Sequence, residues 1–107
     1  MAENQTTQKP KVSEITNKEL ADYLRLTYEY LSEDEKLELN TMLSVAKKYI
    51  KSYTGLTFEQ MEEHEDFVIV IYVLVGDMYD TRSMYVDKNN VNRVVETILG
   101  MHCINLL

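Results

Sequence analysis

The side chains with the most chemical capacity stand together at Glu62, Glu63, His64, Glu65 and Asp66. Carboxylates and an imidazole are groups that ligate metals or move protons. A helical zinc hydrolase carries two histidines four residues apart with a glutamate between them, and His64 has no partner at that spacing. Nor is there a glycine-centred loop with oxygen ligands on alternate residues, as calcium requires. The cluster therefore reads as acids at a helix start around a solvated histidine. His102 and Cys103 are sequence neighbours, the wrong arrangement for a thiol–imidazole pair built across a fold. Cys103 is expected to be buried or to face a partner. Asp77 and Asp80 border the most apolar stretch and are expected to pair with Lys or Arg, or to be hydrogen-bonded at the core's edge, since an unpaired buried carboxylate is costly. No phosphate-cradling glycine loop or nucleophile elbow is present. The expectation is a protein that is not an enzyme, with no cofactor and no metal site. A metal-dependent hydrolase using Glu62, Glu63, His64 and Asp66 is the distant alternative.

These groups surround nine consecutive apolar residues, Phe67-Val-Ile-Val-Ile-Tyr-Val-Leu-Val75. Such a run has to be covered on all sides in water, and each side chain buried contributes roughly 1.5–3 kcal/mol. Its β-branched content favours a strand, and a short buried run does not distinguish strand from helix by period. The flanks decide it. Acids at residues 59–66 suit the first turn of a helix, whose dipole favours negative charge, and Met78 and Tyr79 continue the apolar face beyond Val75. The expectation is a buried helix over residues 62–82. It is too short for a membrane span, which needs about 20 apolar residues.

Three further helices are expected around it. Thr16-Asn-Lys-Glu19 is a capping box, with Ile15 and Leu20 at the positions of a hydrophobic staple. The helix it opens carries Leu20, Tyr23 and Leu24 on one face and is expected to end near Leu26 or Thr27. Ser32-Glu-Asp-Glu35 is a second capping box. It opens the longest helix, Glu33–Thr54, with Leu39, Met42, Leu43, Ala46, Tyr49, Ile50 and Tyr53 on one stripe and Gly55 as its left-handed terminator. Lys47, Lys48 and Lys51 lie opposite that stripe, and Leu37 projects outward as a candidate contact residue. Residues 56–61 read as a loop with an extra turn, and residues 83–90 as a polar loop. The last helix is expected over residues 91–99, with Val91, Val94, Val95, Ile98 and Leu99 on one stripe, capped by Asn89 or Asn90 and ended by Gly100. An apolar tail follows, including Met101, His102, Ile104, Leu106 and Leu107, which is expected to dock on its own subunit or on a neighbour.

The bulk numbers limit the function. A chain of 107 residues makes one domain with a real core. Eighteen acids against 11 Lys and Arg give a formal net charge of −7, unlike the clustered basic face that grips nucleic acid. One cysteine cannot form an internal disulfide, and residues 1–13 are polar with no signal-like apolar core. A soluble intracellular protein is expected, with residues 1–13 as a disordered arm and residues 14–107 as a single helical domain. The fold class is all-α: a small bundle of about four helices around a central buried one.

In order, the parts are a capped short helix with Thr16-Asn-Lys-Glu-Leu-Ala-Asp-Tyr-Leu-Arg25, an acid-rich turn, a long helix with Ala46-Lys-Lys-Tyr-Ile50 and Tyr53-Thr-Gly55, a buried helix ending Val75-Gly-Asp-Met-Tyr-Asp-Thr-Arg82, and a closing helix with Asn92-Arg-Val-Val-Glu96. This order resembles the small head–tail connector family of tailed bacteriophages and prophages, also described as head-completion or DNA-packaging adaptors. The likeness covers residues 12–107 and rests on capping and packing patterns. It implies an all-helical virion subunit at the head–tail junction, assembled in the host cytoplasm. Such subunits form a ring, commonly twelvefold, under the portal protein and dock a downstream stopper or tail-completion protein. DNA passes through without sequence-specific binding, and neither a cofactor nor a catalytic residue comes with the family. A ring contact joins two different faces, and Lys47, Lys48 and Lys51 against a neighbour's Glu62, Glu63, Glu65 and Asp66 is one candidate pairing. The alternative is a small acidic helical regulator that binds a host or phage protein.

Overall fold

An apolar run so rich in β-branched residues has strand propensity, yet it is the helix on which the others pack. The structure is a computed structural model that describes residues 11–83, 85–86 and 91–103. Among these it contains five α-helices and no strand: α1, Asn17–Tyr23; α2, Glu33–Thr54; α3, Phe58–Met61; α4, Asp66–Thr81; and α5, Arg93–His102. Short 3₁₀ turns lie at Val12–Glu14 and Tyr28–Tyr30. The expected all-α bundle is what the chain forms. Helix α4 packs most extensively on α2 and then on α5, while α1 lies across both α2 and α4. Propensity yields to packing because Phe67, Val70, Ile71, Leu74, Val75 and Met78 are all buried against these neighbours.

Both capping boxes form. The Thr16 and Ser32 hydroxyls accept from the amides of Glu19 and Glu35, and each glutamate accepts from its cap residue's amide at 2.8 Å. The hydrogen bonds from Ser32 hold the Glu35 carboxyl below its ordinary range. Ile15 and Leu20 are both buried, as a staple requires. A third box was hidden in the segment expected as loop: Thr57 and Gln60 exchange the same bonds and open α3.

Helix ends depart from expectation in instructive ways. Helix α1 stops at Tyr23, because Arg25 takes a left-handed conformation (φ 65) and Leu26 N–H reaches back to the Ala21 carbonyl at 2.8 Å. Helix α4 ends the same way, with Arg82 at φ 56 and Ser83 N–H on the Met78 carbonyl at 2.9 Å. These are Schellman-type closures made by arginine where glycine is usual. Helix α2 ends at the expected Gly55, φ 79, whose N–H bonds the Lys51 carbonyl. Helix α4 begins at Asp66, not at residue 62. The amides of Glu62, Glu63 and His64 are still committed to carbonyls of α3 and its exit turn. It is also not covered on every side, since Ile69 remains 51% exposed. At the amino end Val12 is buried and Ser13 N–H donates to the Glu62 carboxylate at 3.0 Å, so packed structure starts before residue 14. Residues 1–10 of the expected arm lie outside the described residues.

In α5 the cap is Asn92, whose side chain accepts from Val94 N–H at 2.7 Å. The expected caps Asn89 and Asn90 lie outside the described residues. Gly100 does not end this helix, which continues through Met101 and His102. A Cβ added at Gly100 meets nothing within 4 Å. Gly100→Ala is therefore expected to stabilise the fold by about 0.5–1 kcal/mol, the helix-interior difference between the two residues. A left-handed terminator would respond with a loss, so urea unfolding of this one variant distinguishes the two conformations.

Candidate functional site

The closing turns of α3 and the end of α5 converge. Leu99 and Val95 are fully buried and fix the rotation of α5, which turns His102 toward the start of α4. There His102 Nε2 lies 2.9 Å from Asp66 Oδ2. The His64 and His102 rings meet with centroids 4.1 Å apart at 43°. Both are edge-on to Phe67, at 5.3 and 4.9 Å, and Phe67 is wholly buried. The result is a small polar cluster of half-buried side chains on an aromatic floor. One donor atom each from His64, Asp66 and His102 lies within 4.8 Å of the others.

Sequence spacing had set these residues apart. His64 read as a solvated side chain because no histidine stands four residues away; its partner comes from a helix 36 residues beyond Asp66. Cys103 is exposed, with its Sγ 3.4 Å from the Tyr53 carbonyl that it donates to. Of the remaining acids of the segment, Glu65 is the cap residue of α4, whereas Glu62 and Glu63 belong to the exit from α3. Glu62 is held below its ordinary carboxyl range by hydrogen bonds from Ser13 and, more weakly, by the charges of Lys11 and Lys47. Glu63 and Glu65 are exposed.

The other candidate contact residues scatter over the surface. Leu37 projects outward near the amino end of α2, 61% exposed. Lys48 and Lys51 are exposed and Lys47 half-buried. Lys51 Nζ lies 5.7 Å from the Phe58 ring centroid, and of the three lysines it is Lys47 whose charge acts on Glu62 of its own subunit. Met101 is 67% exposed, whereas Ile104, Leu106 and Leu107 lie outside the described residues. The single stripe expected for α5, Val91, Val94, Val95, Ile98 and Leu99, does not turn inward as a whole, since Val94 is left exposed. Val95 and Leu99 are buried in the core and Ile98 packs half-buried against it, while Val94 and Met101, seven residues apart, are exposed.

Asp77 and Asp80 lack the expected cation: among the described residues neither has an ion pair. They border a cavity of about 470 Å³ with Leu74, Met78, Tyr85 and Val91. Partial desolvation, aided by the charge of Asp80, raises the Asp77 carboxyl above its ordinary range. No helix among the described residues is long and apolar enough to cross a membrane. Comparison with protein-family models, with curated proteins and with solved structures yields no match to this chain.

Proposed function

We propose that this protein is a structural head–tail connector, an adaptor that assembles as a ring under a phage portal, extends the DNA channel and docks the next head-completion or tail protein. The observation that carries this reading is the outer side of α5, where Val94, 54% exposed, and Met101, 67% exposed, are apolar residues left uncovered by the core. A short terminal helix with apolar residues on two faces has one face more than its own fold uses. In the proposed ring that face meets a different surface of the next subunit, as a heterologous contact requires. Leu37 and Phe58 are exposed apolar residues available for such a second surface. The excess of acid suits a channel through which DNA slides, because phosphate is held by Lys and Arg. The twelvefold count comes from the family likeness.

Light scattering across a concentration series, followed by negative-stain imaging with and without the portal encoded beside the gene, tests the proposal. Rings, or a monomer that forms rings on the portal, are the expected result. A monomer at every concentration that ignores the portal overturns it. That outcome favours the alternative of an acidic regulator, for which the −7 charge offers a contact with a basic face of another protein.

A further inference from the structure

The chain has two histidines, and the fold brings both into ring contact beside one carboxylate. We propose that His64, Asp66 and His102 are the protein ligands of a divalent metal ion of the zinc class, with water in the fourth position. Two imidazole nitrogens and one carboxylate oxygen form a donor set suited to zinc, cobalt or nickel, whereas magnesium and calcium take oxygen ligands. Three protein ligands with water in the fourth place is the ligand count of open zinc sites, as against the four protein ligands of closed structural ones.

The geometry is within reach of coordination. Zinc bonds of about 2.0–2.2 Å set neighbouring tetrahedral donors about 3.3 Å apart. Here the donors already lie within 4.8 Å of one another, and one pair stands at 2.9 Å. Rotation of half-buried side chains covers the difference. Asp66 Oδ2 and His102 Nε2 now share a hydrogen bond, which coordination replaces with two bonds to one ion. His102 is the last residue of α5, where the helix dipole favours a cation. Asp66 opens α4 and offsets the unfavourable dipole at that end. Exposed Glu63 and Glu65 add negative potential that concentrates cations nearby. The buried Phe67 ring gives both imidazoles a fixed wall.

A bound ion clamps the start of α4 to the end of α5, and so steadies the helix that carries the exposed Val94 and Met101. This site rests on one subunit's own side chains and not on the connector reading. Calorimetric titration of zinc chloride into chelator-treated full-length protein is the test, with cobalt absorption as a spectroscopic check. The expected result is one ion per chain with a Kd below about 10 μM, and a melting temperature that rises with zinc and falls again on chelation. His64→Ala and His102→Ala should each weaken binding about tenfold or more, while Cys103→Ser and magnesium in place of zinc serve as controls. His64→Gln and His102→Gln stand in should an alanine variant lose helicity without metal. Absence of zinc binding by the folded wild type overturns the proposal and leaves only a polar clasp. Undiminished binding when both histidines are replaced, dependence on Cys103 alone, or equal affinity for magnesium overturns it as well.

Discussion

Phe67→Ala is expected to lower the free energy of unfolding by about 3–5 kcal/mol, the range for removing a buried aromatic side chain. Phe67 is wholly buried at the point where α4 begins and α5 ends. Its ring supports both histidines edge-on, so a cavity there has polar groups on one wall and cannot collapse onto apolar neighbours alone. Domains of this size have about 5–15 kcal/mol in total. The variant should therefore melt more than about 10 °C lower and stand close to unfolding. Ile71→Val on the same helix removes one methylene from an equally buried side chain and should cost only about 0.5–1.5 kcal/mol. Urea unfolding that places the two variants within error of each other would mean that Phe67 does not anchor this junction. The same truncation should also weaken zinc binding while leaving every ligand in place, because the imidazoles lose their wall.

How much of this was legible in the sequence differs with the range of the interaction. Local signals read well: the boxes at Thr16 and Ser32 and the terminator Gly55 each involve residues three or four apart, and each forms as expected. The stripe of α2 also holds, with Leu39, Met42, Leu43, Ala46 and Ile50 buried. Tyr49 is half-buried, and Tyr53, the last of the stripe before the chain turns, is 39% exposed. Signals that depend on an atypical residue did not read. Arginine at a left-handed position is uncommon, so nothing at Arg25 marked the early end of α1, whereas α4 ends at Thr81, within one residue of the expected end at 82. Gly100 looked like a terminator because glycine commonly is one, but Met101 and His102 remain helical beyond it. The polar cluster was unreadable for another reason. His64 and His102 meet only because α4 and α5 pack in one register, and pair spacing along the chain carries no trace of that contact. Helix α4, finally, was correctly read as a helix against its β-branched composition, but its start was misplaced because Glu62 and Glu63 mark the exit from α3, and only Glu65 and Asp66 stand at the entry to α4.

Replacing Val94 and Met101 together with glutamate should leave the fold intact and abolish the proposed ring assembly. Both side chains point outward, 54% and 67% exposed, and neither belongs to the buried core. Surface changes of this kind usually fall within about 0.5 kcal/mol. The helix dipole acts on the pair in opposite senses: a carboxylate at Val94 lies in the first turn of α5, where it is favoured, and one at Met101 lies in the last, where it is not. The two effects offset, so the double variant should melt near the wild-type temperature. In the proposed ring the same two positions would meet the next subunit's apolar surface, where an uncompensated charge is expensive to desolvate. Hot-spot losses of about 2 kcal/mol or more per contact correspond to at least about 30-fold weaker association, repeated at every joint of the ring. Val94→Glu alone, seven residues from Met101 and remote from His102, guards against an effect transmitted through the histidine cluster. Light scattering should then show monomers at concentrations where the wild type assembles. Rings of undiminished stability from a well-folded double variant would remove the outer face of α5 from the assembly surface, and with it the feature on which the adaptor reading stands.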